Sequence, residues 1–388
     1  MSIFPEKESF LMYEEINAYV KSLIAQSSPE RTAWNIENMR KNRPASWNYI
    51  DGCMMTALLS LSEITGDPSY ADFADSFIDS FVNEDGSIRT FKAEKHTLDD
   101  INEGRVLFPL YEKTGKEKYR RGADTLYRAL QEHPRTPEGN FWHKTIYPNQ
   151  VWLDGVYMAM PFLALYRKYF GRGEDADLAS QLKNIQAHMR DPKTGLYYHG
   201  YDCTRQAFWA SPETGCSANF WLRAVGWFSV ALADLAEILP EGDARNTATE
   251  IFQDLMKSLL PFADGETGMY YQVVDQGTRE GNYLESSGSS MISYAMMKGA
   301  RLGVLSPEYA AHGRKTFEGI YKTCLTFRDG QMGMDHICLV AGLGPEKDRR
   351  RDGTYAYYIS EPVVQNDAKG VAPFLLAYTE VLRLAESN

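Results

Sequence analysis

Apolar residues along this chain recur at helical spacing, and the helical stretches come in pairs. Ile50–Ile64 runs into a Thr-Gly-Asp-Pro break and resumes as Ser69–Phe81. The same plan returns in Asp99–Lys113 with Lys118–Gln131, Trp152–Tyr169 with Ala176–Met189, Ser217–Ile238 with Ala244–Leu260, and Ser286–Leu302 with Pro307–Leu325. Ala368–Leu384 has no following partner and Ser9–Ile24 no preceding one, so joining the two ends completes six helical hairpins. The first helix of each pair is rich in Ala, Gly, Met and Leu, as a helix covered on both sides must be, whereas the second carries more Lys, Glu and Asp. Between hairpins, DPKTGLYYHGY (191–201) and DGETGMYYQVV (264–274) are near copies, and TPEGNFWHK (136–144) and FRDGQMGMD (327–335) are looser ones. Each predicts a Gly-containing turn followed by a short β-like run. No Pro/Gly/Ser-rich linker divides the chain. The pattern predicts one all-α domain over 1–388: an (α/α)6 barrel with β-like loops on one rim. An open solenoid, the competing architecture, favours tighter repeat lengths and polar capping repeats.

Composition narrows the function. The 388 residues hold 41 Lys+Arg against 52 Asp+Glu, a net charge of −11, which argues against nucleic acid or an anionic membrane as partner. No apolar run approaches the ~20 residues of a membrane span, and the first twenty residues lack the basic and apolar regions of a signal peptide. The five cysteines fall in no disulfide or zinc spacing. These features predict a cytoplasmic protein. Aromatic residues reach 13%, including 24 Tyr and 7 Trp, and every Trp lies between Trp34 and Trp227.

In a toroid whose inner helices aim their N-termini at one rim, chemistry belongs at those starts. They read SWNYIDG, HTLDDINEG, QVWLDGVYM, SANFWLRAVGW, LESSGSSM and VVQNDAKGV. A single Asp at a helix start is ordinarily a cap. Four of them beside Trp, His and Arg suit a carbohydrate cleft instead, where sugar faces stack on rings and hydroxyls take hydrogen bonds. The densest cluster, FWHKTIYPNQVWLDGVYM (141–158), sets His143, Lys144 and Asn149 ahead of Trp152 and Asp154. A carboxyl beside Trp152 is expected to be desolvated, with a raised pKa that suits a general acid. In LDDINEG the neighbours Asp99 and Asp100 cannot both face the cavity, so one caps and the other points inward. In NFWLRAVGW, Arg223 shares a helix face with Trp227 and either meets an anionic ligand or pairs internally with an Asp. Cys216, without a base beside it, reads as a buried thiol. No His cluster, GxGxxG or GxxxxGK[ST] is present, so neither a metal nor another cofactor is expected.

The segments RPASWNYIDG, LDDINEGR, FWHKTIYPNQVWLDGVYM, FWLRAVGW, ESSGSSMISYAMMKG and SEPVVQNDAKGVAPFLLA resemble the unsaturated rhamnogalacturonyl hydrolases of glycoside hydrolase family 105. More distantly they resemble the unsaturated glucuronyl hydrolases of family 88. The resemblance implies the (α/α)6 barrel and a small oligosaccharide substrate with a 4,5-unsaturated uronic acid at its non-reducing end. It implies hydration of the vinyl ether, with Asp154 as acid and then base and Asp99 as second catalytic carboxylate, Asp100 being the alternative. Trp47, Asn48, Tyr49, His143, Lys144, Trp152, His199, Trp221, Arg223 and Trp227 match substrate-binding positions. Ulvan- or glycosaminoglycan-type disaccharides are the alternative substrates. A sugar epimerase would present paired His at the cavity floor, whereas a non-catalytic oligosaccharide-binding barrel would need no desolvated Asp.

Overall fold

A computed structural model describes residues 6–328 and 331–386. Five inner helices are Tyr49–Thr65, Leu153–Phe170, Leu222–Ile238, Ser286–Arg301 and Ala368–Glu386, and the sixth is a segmented stretch over 99–114. Their outer partners are Pro68–Asp79, Glu117–Gln131, Asp175–Met189, Asp243–Leu259, Glu308–Cys324 and, from the start of the chain, Glu6–Ala25. Each inner helix packs on the next, and Ala368–Glu386 packs on Tyr49–Thr65, so the ring closes and the solenoid is excluded. The first helix is held in the outer layer by the Tyr13–Tyr378 ring contact at 5.6 Å and by a hydrogen bond from Tyr19 to Asn366 at 2.6 Å. Burial follows composition: every residue from Leu222 to Ala236 is buried, as is every one from Ala368 to Val381.

Two boundaries differ from the periodicity. The helix expected from Ser217 begins at Leu222, because Ser217 to Trp221 spend their backbone groups on neighbouring loops. Ser217 N–H donates to Gly200 (2.9 Å), and Phe220 accepts from Val274 (3.1 Å). The stretch expected as one helix over Asp99–Lys113 is an α-turn at Asp99–Asn102, a 3-10 turn at Glu103–Val106 and a helix at Leu107–Thr114. The 3-10 turn lies where Gly52 meets it: a Cβ on Gly52 would stand 2.6 Å from the Glu103 Cα. The near-copies form matching turns. Thr194 and Thr267 each donate N–H (2.8 Å) and hydroxyl to Asp191 and Asp264, and Gly195 and Gly268 follow at φ 74° and 72°. The turn of the fourth copy, at 329–330, lies outside the described residues.

At the end where the inner helices finish, Asp234 accepts from Arg105 Nη2 (2.5 Å), Lys298 Nζ (2.7 Å) and Tyr294 (2.9 Å), all buried. Burial alone would push the Asp234 carboxyl up, but Lys298 and Arg105 bring it down to about 2. Its contribution to stability is therefore full above the ordinary ~3.9 of an Asp and is lost as pH falls towards about 2. Asp234→Asn strands the buried Arg105 and leaves Lys298 with Glu237 alone, and is expected to cost about 3–5 kcal/mol in a denaturant titration near neutral pH, the range for breaking a buried pair.

Candidate active site

The opposite rim gathers the chemistry, and short antiparallel pairings set its geometry. Gln150–Trp152 pairs with Gly200–Asp202, with Trp152 opposite Gly200. Leu153 N–H donates to the His199 carbonyl at 3.1 Å, so His199 stands beside the first turn of the helix that carries Asp154. His199 Nε2 lies 3.2 Å from Asp154 Oδ2, an ion-pair distance, but the approach is off line and neither atom has a formed hydrogen bond. On the other side His199 Nδ1 meets the Tyr358 hydroxyl at 2.8 Å. Trp152 and Trp221 flank the imidazole, with ring centroids at 5.2 and 4.8 Å.

A second pairing brings in the other carboxylate. Thr97 bridges to Lys144, and Leu98 N–H donates to the His143 carbonyl at 3.2 Å. Lys144 Nζ consequently donates to Asp99 Oδ2, and His143 Nε2 lies 3.5 Å from Asp99 Oδ1. His143 stacks on Trp152 at 4.4 Å, which joins the two halves of the site. Gly155 makes room for this stack: its Cβ would lie 3.3 Å from His143 Nδ1 and 3.0 Å from Leu98. Neither Asp99 nor Asp100 caps the helix, contrary to expectation. Leu98 occupies the cap position without a side-chain bond, because the preceding backbone is already helical.

Electrostatics revise the reading of Asp154. Burial does raise its pKa, as expected, but the nearby His199 outweighs burial, and the carboxyl is held below the ordinary Asp value. The upward shift falls on Asp100, which burial and the adjacent Asp99 push to about 7. Burial and Lys144 hold His143 well below the usual histidine value, so it is neutral.

Accessibility separates the groups that can meet a ligand from those that support them. Lys144, Asp99 and Asp154 side chains retain 24%, 18% and 13% exposure, whereas His199 has none. Tyr49 is half-buried and edges onto Trp227 at 6.4 Å, and Trp227 stacks on Tyr157 at 4.4 Å. Trp47 and Asn48 are supports. The buried Trp47 donates Nε1–H to the Asp100 carbonyl (2.7 Å), and Asn48 caps the helix Tyr49–Thr65 by accepting from Ile50 (2.9 Å) and Asp51 (3.1 Å). Trp221 is also buried and donates to Gln272 Oε1 at 3.2 Å.

Arg223 contradicts both readings given to it. It is 1% exposed and, among the described residues, forms an ion pair with no Asp. Its guanidinium donates to the Cys338 and Leu339 carbonyls and to Ser287 Oγ (3.2 Å), clamping the Ile337–Cys338 strand to the inner helix. Two other rim acids follow the capping rule, whereas the buried Asp51 accepts from the Thr32 (3.0 Å), Trp34 (2.9 Å) and Asn35 (3.1 Å) side chains. Glu285 accepts from Ser287 and Gly288 N–H, and Asp367 accepts from Lys369 N–H. Cys216 is a buried thiol, pushed up to about 11. Sequence reasoning missed Tyr358, whose only signal was one Tyr among 24. Among the described residues no group of three or more His, Cys, Asp or Glu could hold a metal ion, and no helix is long and apolar enough to cross a membrane.

Comparison with known proteins places this rim in a family. The 24.9 kDa protein in picA locus of Rhizobium radiobacter is 38% identical over 233 residues, 59% of this chain and all of that protein. The unsaturated rhamnogalacturonyl hydrolase YesR of Bacillus subtilis is 26% identical over 269 residues, 66% of this chain and 72% of that enzyme. The solved glycoside hydrolase of family 105 from C. acetobutylicum ATCC 824 superposes with a TM-score of 0.86 at 40% identity, covering 97% of this chain and 99% of that one. The unsaturated glucuronyl hydrolase of Bacillus sp. GL1 shares the fold, at a TM-score of 0.64 and 15% identity over 97% of each chain. The family model for Glycosyl Hydrolase Family 88 matches residues 20–385, so the chain belongs to that family and is a glycoside hydrolase.

Proposed function

We propose that this glycoside hydrolase removes a 4,5-unsaturated uronic acid from the non-reducing end of lyase-generated oligosaccharides, with an unsaturated rhamnogalacturonyl disaccharide from pectin as substrate. One observation carries the reading. Asp154 is a solvent-reaching carboxyl on a rigid helix start, beside an imidazole that two indoles flank, with a second carboxylate, Asp99, pinned by Lys144. Asp154 supplies a proton to C4 of the vinyl ether, whose π electrons form the new C–H bond. Water adds at C5 and gives its proton to the same carboxylate. The resulting hemiketal opens and releases the second sugar. Lys144 is the accessible cation for the uronate carboxylate, since Arg223 is committed to backbone carbonyls. Because the second carboxylate activates no water at the anomeric carbon, the spacing rule for retaining and inverting enzymes does not apply. Five unpaired cysteines accord with a reducing, cytoplasmic setting.

The test is a panel of lyase-made disaccharides followed by loss of alkene absorbance. The rhamnose-linked substrate should turn over fastest, and its saturated counterpart should not react. Faster turnover of an ulvan- or glycosaminoglycan-derived disaccharide would reassign the second sugar. Tight binding with no turnover of any of them would favour a binding protein.

A further inference from the structure

The wall of the mouth opposite Asp154 carries an acid outside the catalytic cluster. Two inner helices separate Leu153–Phe170 from Ala368–Glu386 in either direction round the ring, so their starts face one another across the mouth. Lys369, in the first turn of Ala368–Glu386, has a side chain only 1% exposed. Its ammonium lies 2.9 Å from both Glu37 Oε1 and Asp367 Oδ1. Glu37 belongs to the short helix Ile36–Arg40, which precedes Tyr49–Thr65 in the chain. Burial, then the charges of Glu37 and Asp99, push the Tyr49 hydroxyl well above the ordinary tyrosine value, so both acids stand near that hydroxyl.

One ammonium serves two carboxylates here. Asp367 is wholly buried, and its Oδ2 has no hydrogen-bond partner among the described residues. Glu37 keeps 17% side-chain exposure. Burial would raise its pKa, but Lys369 outweighs burial and holds the carboxyl below the ordinary Glu value. Its Oε2 faces the Lys41 ammonium at 3.7 Å, beyond hydrogen-bond length, and Lys41 is half-exposed, where solvent and salt screen it. Arg223, the other cation near Glu37, is spent on Ser287 and on the carbonyls of Cys338 and Leu339. The wall therefore presents a carboxylate oxygen with open acceptor sites and an excess of negative charge.

We propose that Glu37, held by Lys369, lines the subsite of the second sugar and selects a neutral one: its carboxylate accepts from sugar hydroxyls and repels a sulfate or carboxylate group. This rests on the function proposed above and narrows its substrate class. Ring chemistry sets the direction. With C4 of the uronate at Asp154, C1 points away from that wall, since C1 lies across the pyranose ring from C4. The glycosidic bond leaves from C1, so the second sugar extends towards the wall that carries Glu37. A carboxylate there both rewards a hydroxyl donor and penalises an anion, which is how one group separates two otherwise similar ligands. Rhamnose, which is neutral, suits this wall.

The test compares the unsaturated rhamnogalacturonyl disaccharide with the same disaccharide carrying a sulfate ester on its rhamnose, by binding isotherm and by kcat/KM. At low salt the wild type should favour the neutral ligand by about tenfold or more in both readouts. Raising the ionic strength from about 0.01 to 0.15 M shortens the Debye length from about 30 to about 8 Å and should narrow that preference several-fold. Glu37→Gln keeps an acceptor for Lys369 but removes the charge. It should weaken the neutral ligand a few-fold and strengthen the sulfated one about fivefold, the effect of one charge several ångströms away at a solvent-facing site. Equal handling of the two ligands by the wild type, or a preference that Glu37→Gln leaves unchanged, would overturn the proposal. Should the variant fail to fold, a wild-type preference indifferent to salt would overturn it instead. A wild type that binds with this preference yet turns over neither ligand would defeat the proposed function and leave Glu37 in its subsite. Turnover of both ligands without preference would defeat the subsite alone.

Discussion

Asp154→Asn is expected to lower kcat by at least the roughly 10²–10⁴-fold that general acid–base catalysis supplies, while substrate affinity stays within a few-fold. Asn keeps the volume and the place in the first helical turn, but it can neither donate an acidic proton nor recover one from water. The folded state should tolerate the change. The Asp154 side chain retains 13% exposure and makes one ion-pair contact, to His199. Stopped assays with the unsaturated disaccharide, paired with a binding isotherm on the variant, check both halves. A parallel loss of binding would assign Asp154 to holding the substrate rather than to the chemistry.

The second large effect is on stability. Arg223→Lys preserves the charge, but a point-like ammonium cannot span Ser287 Oγ and the carbonyls of Cys338 and Leu339. Buried hydrogen bonds from a charged donor are worth ~1.5–3 kcal/mol each, and partial retention by lysine leaves an expected loss of about 3 kcal/mol. Chemical denaturation measures it. The loop at 337–339 also closes over the helix start at Ser286, so some kinetic loss will accompany the change. An unchanged denaturation midpoint with a raised KM would restore Arg223 to the role its position in FWLRAVGW implies, that of ligand to the substrate carboxylate.

These two residues show what could be read from the chain and what could not. The hairpin plan was legible because burial on both sides forces an unbroken apolar helix such as Leu222–Ala236, and single-sided burial forces a polar stripe on its partner. The break in the 99–114 helix was not, since it arises from close approach to Gly52, about fifty positions away. Asp154, His143, Lys144 and Asp99 were legible as a set because two loops and a helix start carry them in sequence order, and short pairings bring them together. The direction of the Asp154 shift was not, because the neighbouring indole is visible in WLDG but the imidazole arrives from His199 on a separate loop. Arg223 and Tyr358 depend on contacts 115 and 159 positions distant, and no local pattern encodes those.

The central claim is that this enzyme protonates carbon rather than a glycosidic oxygen, and isotope incorporation tests it most directly. Turnover of the unsaturated disaccharide in heavy water, followed by NMR of the released uronate product, should place one deuterium at C4, and Asp154→Asn should form that labelled product only at its residual rate. An unlabelled C4 in the product, or comparable turnover of the saturated disaccharide, would contradict the account.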